Sequence, residues 1–353
     1  MTDPFSGVIG HRAVLELLTS DLSRPAHAYL FVGPSNVGKA MVARRFAAAL
    51  VCGDDERCFR RAAAANHPDL SIIEPEGRTA VTVDQARTVV AAAVRSPLEA
   101  DRRVFLFEEG GMLNDEAANA LLKTLEEPVT TSSFILVAES EDELPDTVAS
   151  RCRTVVFGRV DEAVLAAGIV ETDLAVEEQA TQVARIAGGR PGLAVTLATT
   201  PEAGAFRHFW LSIPMRLPDG PGGAFRMADE AIAAVDPLLA TVKERQAAEL
   251  GHVDESLVKA LKERHTRDLK RATDTLHVAG LETLAGFYRD AAAAQYGAPP
   301  RNSDIPVVGL TQVAPPRAVA NADRVLATVE ALQANQRPQL ALAVLFSELA
   351  SDE

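Results

Sequence analysis

Gly33-Pro34-Ser35-Asn36-Val37-Gly38-Lys39-Ala40 has the residue types and spacing to hold a phosphate. The stretch lies between an apolar run, His27 to Val32, and a helix-like run, Met41 to Val51. Strand, Gly-rich turn and helix in that order let several backbone N–H groups face one anion, and the helix adds its positive end. Lys39 would bring a point charge to the β/γ-phosphates. The eighth position departs from a working loop. A Ser or Thr hydroxyl there binds Mg²⁺, and Ala40 has no ligand atom. Two readings are open from these residues, an active nucleotide site and a degenerate one.

Glu108-Glu109 follows the apolar run Val104-Phe105-Leu106-Phe107, which reads as a buried parallel strand. Carboxylates at the carboxyl end of a central strand, beside a phosphate loop, are where Mg²⁺ and an attacking water are organised. The usual order is Asp then Glu, and Glu108 is one methylene longer. Two exposed acids at a strand end are the alternative. Ser140 follows another apolar run, Phe134 to Ala138, and either senses a γ-phosphate or is a plain loop serine. Cys52, Cys58 and the more distant His67 fall short of the four paired ligands of structural zinc. They are expected to be two free thiols and a loop histidine, with no metal.

The elements that must position these groups follow from periodicity and caps. An amphipathic helix is expected near His11 to Asp21, and short strands at Leu70–Ile73 and Val155–Phe157. Thr82 and Gln85 form a capping-box pair opening a helix that should run to about Arg95. Asn114 to Glu127 is capped by Asn114, has acids in its first turn and is stopped by Pro128. Glu74 to Gly77 should turn the chain, and Leu144 to Ala149 should be a short helix or turn. Alternating strands and helices through residues 1–160 define an α/β domain with a parallel sheet.

From Asp161 onwards the pattern is helical. Asp161–Gly168, Glu177–Ala187 and Leu193–Ala198 resemble a small helical lid, residues 161–200. The prolines and glycines of residues 199–224 suggest a linker or irregular loop. Long helices fill the rest of a domain at 201–353, apart from a polar gap at 297–316.

The 353 residues carry a net charge of −14, so a broad basic DNA-binding face is not expected of this chain alone. Three cysteines suit a reducing cytoplasm. The N-terminus shows no signal pattern and no apolar run approaches membrane-spanning length, so a cytoplasmic protein without membrane contact is expected.

Three segments now stand in order: HAYLFVGPSNVGKA, NDEAANALLKTLEEP and Ser150-Arg151-Cys152. Together they resemble the bacterial clamp-loader subunits of the AAA+ family, most specifically through Asn119 to Pro128. Phe287-Tyr288-Arg289-Asp290 and Asn335 to Leu342 resemble the collar helices of those subunits. The resemblance implies an AAA+ P-loop domain, a helical lid and a C-terminal all-α collar. Within the family, ATPase copies (tau/gamma) keep Ser or Thr after the loop lysine and Asp-Glu at the strand end. This chain has Lys39-Ala40, Glu108-Glu109 and only two cysteines of the zinc-type cluster found in many relatives. Leu193 stands where active subunits carry a nucleotide-sensing arginine. The delta prime type fits best.

That resemblance implies tau/gamma and delta subunits as partners, with the sliding clamp and primed DNA reached through the complex. Arg151 would be an arginine finger acting in trans on a neighbour's nucleotide, with Ser150 and Cys152 holding its geometry. The chain's own loop would need no cofactor and would retain at most weak binding of ATP, ADP or phosphate. An autonomous AAA+ ATPase that tolerates Ala40 and Glu108 is the alternative.

Overall fold

The computed structural model describes residues 3–75, 80–250, 255–302, 305 and 307–351. In chain order the first elements are α1 (Arg12–Asp21), β1 (Ala28–Val32), α2 (Lys39–Cys52), α3 (Glu56–Ala63), β2 (Leu70–Ile73), α4 (Val83–Ala93) and β3 (Arg103–Phe107). Then come α5 (Asp115–Glu126), β4 (Ser132–Val137), α6 (Asp146–Ala149), β5 (Arg153–Val156) and α7 (Glu162–Glu171). The five strands form one parallel sheet in the order β2-β3-β4-β1-β5.

Every residue of β1, β3 and β4 is buried, which explains why these strands read as unbroken apolar runs. Alternation sends Leu30 and Val32 to one face with Phe105, Phe107, Phe134, Leu121 and Leu125. Tyr29 and Phe31 go to the other face with Leu18, Phe46, Val104 and Phe157. Each fully buried Phe or Leu contributes about 1.5–3 kcal/mol of transfer free energy, so the central strands are held from both sides.

The helix starts follow their caps. Thr82 accepts from the Gln85 N–H while the Gln85 side chain accepts from the Thr82 N–H, the reciprocal pair expected. Asn114 accepts from Ala117 N–H at 2.7 Å and fixes the start of α5. This is the α/β domain with a parallel sheet that the alternation of strands and helices implies.

The remaining elements are α8 (Glu177–Ala187), α9 (Pro191–Ala198), α10 (Ala203–Ser212), α11 (Gly220–Ala233), α12 (Ala240–Leu250) and the 40-residue α13 (Glu255–Ala294). They are followed by α14 (Val307–Leu310), α15 (Pro315–Gln333) and α16 (Pro338–Ala350). The chain divides into two compact units, residues 1–172 with 189–192, and residues 173–188 with 193–353. Within the second unit α13 packs on α15 and α10, and α11 packs on α16.

Residues 199–224 correct the expected linker. They hold α10, whose Trp210 is fully buried, and the first turn of α11. The prolines misled because Pro214 and Pro221 sit in first turns of helices, where a missing N–H costs nothing. The polar gap at 297–316 carries the short α14 and gives way to α15 at Pro315. The turn expected at Glu76-Gly77 lies outside the described residues, as do positions 303, 304 and 306 of that gap. Among the described residues no helix is long and apolar enough to cross a membrane.

Candidate functional site

Gly33 leaves β1 with φ +145°, and a Cβ there would strike the backbone carbonyl of Phe157. Only glycine fits. Asn36 and Gly38 also have positive φ, 61° and 102°, so the chain curls tightly before α2 starts at Lys39. The phosphate-type loop is thus formed as the spacing predicts.

Its polar groups are engaged from within the same unit. Lys39, 7% exposed, donates Nζ–H to the carbonyl oxygens of Gly33 (2.5 Å) and Pro34 (2.7 Å). The Asn36 carbonyl accepts from Gly192 N–H at 2.8 Å. The Val37 carbonyl lies 2.7 Å from Nε2 of His11, whose ring packs edge-on against Phe157. Burial lowers the His11 pKa despite the bond to Val37, so the neutral ring with Nε2–H is the form that braces the loop. Ser35 Oγ bonds the Glu139 carboxylate.

Glu108 stands at the carboxyl end of β3, as expected. Its two oxygens are taken by Arg44 of α2, Nε on Oε1 and Nη2 on Oε2 at 2.6 Å. Glu109 follows, half-buried, at the head of a short 3₁₀ turn (Gly110–Met112). Ser140 accepts from Asp142 N–H in a local turn. The residues present do not fit a Mg²⁺-nucleotide. Ala40 offers no metal ligand, the neighbouring acid is neutralised by Arg44, and Lys39 is bound to the carbonyls of its own loop.

Arg151 follows α6 and precedes β5. Its Nη1 donates to Thr147 O at 2.6 Å and approaches Ser150 Oγ at 3.5 Å. Nη2 meets the Glu126 carboxylate, at the end of α5, at 2.5 Å. Cys152 donates Sγ–H to Val148 O at 3.4 Å, and burial pushes its thiol up to about 12, so it stays protonated at neutral pH. Arg151 and Cys152 therefore hold on to α6, and Arg151 ties it to the end of α5. None of the hydrogen bonds or ion pairs of the described residues joins these two to the phosphate-type loop.

Cys52 and Cys58 depart from expectation. They are bonded to each other, not free. His67 is not distant either: its ligand nitrogen and the two sulfurs lie within 4.8 Å of one another. The turn from α2 into α3 folds the two cysteines together, and the residues before β2 return His67 to them. Two sulfurs shared in a disulfide and one imidazole do not make a structural zinc set.

Arg44 and Glu126 were not singled out from the sequence. Both carried a signal: Arg44 is one of only two acid–base side chains between Met41 and Cys52, and Glu126 is an acid at the helix end that disfavours one.

A phosphate-type loop after β1, a carboxylate at the end of β3 and a five-stranded parallel sheet are the layout of a P-loop α/β domain. Residues 10–161 match the family described as DNA polymerase III, delta subunit. The DNA polymerase III subunit delta' of Pseudomonas aeruginosa is 38% identical over 137 residues, 36% of this chain and 42% of that protein. The subunit delta' of Bacillus subtilis is 30% identical over 170 residues, 46% and 51%. A tau/gamma subunit from Haemophilus influenzae is 34% identical over 169 residues, 45% and 24%. The chain spans about half, or less, of the length of these relatives.

Proposed function

We propose that this chain is a non-hydrolysing, delta-prime-like subunit of a DNA polymerase III clamp loader. It assembles with tau/gamma ATPase subunits and a delta subunit in the cytoplasm to load a sliding clamp on primed DNA. Residues 1–160 form its AAA+ domain, 161–200 its helical lid and 201–353 its collar. The observation that carries the reading is the pairing of Lys39-Ala40 with a surface-reaching Arg151 in a region matched by subunits of this type. A loop without the metal hydroxyl is poor at turnover, whereas an arginine at a subunit edge is suited to a neighbour's γ-phosphate.

In that role Arg151 stabilises the charge that spreads over the transferring phosphoryl oxygens of the adjacent ATPase subunit. Such a finger is worth ~10³–10⁵ in rate in well-studied NTPases. Ser150 and Cys152 fix the backbone from which it projects. Gly33 to Ala40, with Glu108 and Glu109, are kept as a braced structural loop that requires no cofactor and holds phosphate or ADP weakly at most.

A second reading, an autonomous AAA+ ATPase, draws on the tau/gamma match and on the intact glycines of the loop. Clamp- and DNA-stimulated ATP hydrolysis by reconstituted complexes separates the two. The first reading expects a silent isolated chain, an active complex and a slower complex with Arg151→Ala. Hydrolysis by the isolated chain, with no effect of Arg151→Ala in the complex, would establish the second.

A further inference from the structure

α5 ends in two acids, Glu126 and the capping Glu127, with Lys123 as the cation of the last turn. The C-terminal end of a helix carries partial negative charge, so carboxylates there are unfavourable by local rules. Local rules are broken most often where a residue has another task. Glu126 has a visible one: it meets Nη2 of Arg151 from 25 residues away in the chain, and the Thr147 carbonyl holds Nη1. The two contacts take the guanidinium from two sides and fix its plane.

The pair is neither sealed nor fully solvated. The Arg151 side chain is 34% exposed and that of Glu126 48% exposed. An exposed pair of this kind contributes little to stability, so stability does not account for placing an acid at the wrong helix end. A guanidinium has five N–H donors. Glu126, Thr147 and Ser150 engage Nη1 and Nη2, and the remaining donors stay available to an outside anion.

We propose that Glu126 is the positioning residue for Arg151, holding the guanidinium oriented for the phosphate of a neighbouring subunit. This rests on the reading of Arg151 as a trans-acting finger. Glu126 touches no reacting atom and acts only through Arg151. An unrestrained arginine would sample many rotamers and lose its orientation on each encounter. A carboxylate on Nη2 and a carbonyl on Nη1 remove most of that freedom before the neighbour arrives.

The test uses complexes reconstituted with tau/gamma-type and delta-type subunits, and measures kcat and KM for ATP with clamp and primed DNA present. The variants are Arg151→Ala, Glu126→Ala, Glu126→Gln and the double Arg151→Ala/Glu126→Ala. The expected result is that Arg151→Ala slows the complex, and that Glu126→Ala lowers kcat about 3–10-fold with KM within about twofold. Glu126→Gln, which keeps a carbonyl oxygen for Nη2, should recover most of the loss. In the Arg151→Ala background Glu126→Ala should do nothing further. The isolated Glu126→Ala chain should melt at or above the wild-type temperature, because an unfavourable helix-end charge is gone. If it melts lower, Glu126→Met, which keeps the length of the side chain and a good helix former but offers Nη2 no oxygen, carries the comparison of the two backgrounds.

The proposal is overturned when Arg151→Ala slows the complex but Glu126→Ala does not. It is equally overturned when Glu126→Ala slows both backgrounds alike, or when Glu126→Gln rescues nothing. No effect of Arg151→Ala removes the finger reading itself, and the positioning role falls with it.

Discussion

The guanidinium of Arg44 grips both carboxylate oxygens of Glu108, joining α2 to the end of β3. A two-point pair of this geometry is stronger than a single contact, and Glu108 is only 13% exposed at the side chain. The acid that should face a metal is therefore committed to a cation of the helix that follows the loop. Lys39 is likewise committed to the loop carbonyls. The loop is closed by its own side chains, and Ala40 is one of several departures from a working site.

Restoring the missing hydroxyl alone should therefore fail. Ala40→Ser places an oxygen where Mg²⁺ would sit but leaves the Arg44–Glu108 pair intact. Phosphate release by the isolated variant should stay at background with and without Mg²⁺. Turnover that appears in Ala40→Ser and disappears on adding Lys39→Ala would show that the hydroxyl was the only part lacking.

Asp69 carries a pH prediction for the first unit. It is fully buried and accepts from Glu99 N–H (2.7 Å), Leu98 N–H (2.8 Å), Ala100 N–H (3.0 Å) and Arg103 Nη2 (3.3 Å). Burial works against its charge, but the three backbone donors and Arg103 outweigh it and hold the carboxyl below its ordinary value. A depressed folded pKa stabilises the fold above the unfolded value, ~3.9, and that share is lost as pH falls through the folded value. Asp69→Asn should cost about 1–3 kcal/mol at pH 7 by leaving donors unpaired. The gap to wild type in urea unfolding should narrow below about pH 4. An equal gap at pH 7 and pH 3 would refute the assignment.

The sheet was legible in the sequence because central parallel strands bury both faces: Leu70–Ile73 is observed as read, and β1, β3 and β4 begin or end within two residues of their apolar runs. Caps were legible for the same local reason, as Thr82/Gln85 and Asn114 show. Contacts between distant segments were not. Arg44 with Glu108 and Arg151 with Glu126 are 64 and 25 residues apart, and no periodicity encodes them. Residues 199–224 failed because proline was read as a breaker without asking whether it stood in a first turn. Cys52 and Cys58 failed because ligand counting took spacing along the chain for distance in space, whereas the turn between α2 and α3 folds them together.

The Cys52–Cys58 bond predicts a thiol count. Of three cysteines only Cys152 is free. Protein purified without reductant and unfolded in guanidinium should give one reactive thiol per chain, rising to three after reduction. A loop this short is worth about 2–3 kcal/mol in the chain-entropy account, so Cys52→Ser/Cys58→Ser should lower the melting temperature. Three thiols before any reduction would show the bond does not form.

Gly280 faces Trp210, and a Cβ on it would overlap the indole ring. Alanine is otherwise favoured by about 1 kcal/mol over glycine inside a helix, so on α13 two effects oppose. Overpacking a rigid, fully buried ring costs about 1–3 kcal/mol and occasionally more, and the indole has no flexible end to retreat. The clash should win, and Gly280→Ala should destabilise the second unit. Trp210 is the only tryptophan in the chain, so its fluorescence reports this packing directly. The variant should unfold at lower urea, with emission shifted to longer wavelength in the native baseline. Unchanged emission with raised stability would mean that α10 moves away freely and that helix propensity, not the Trp210 contact, governs the position.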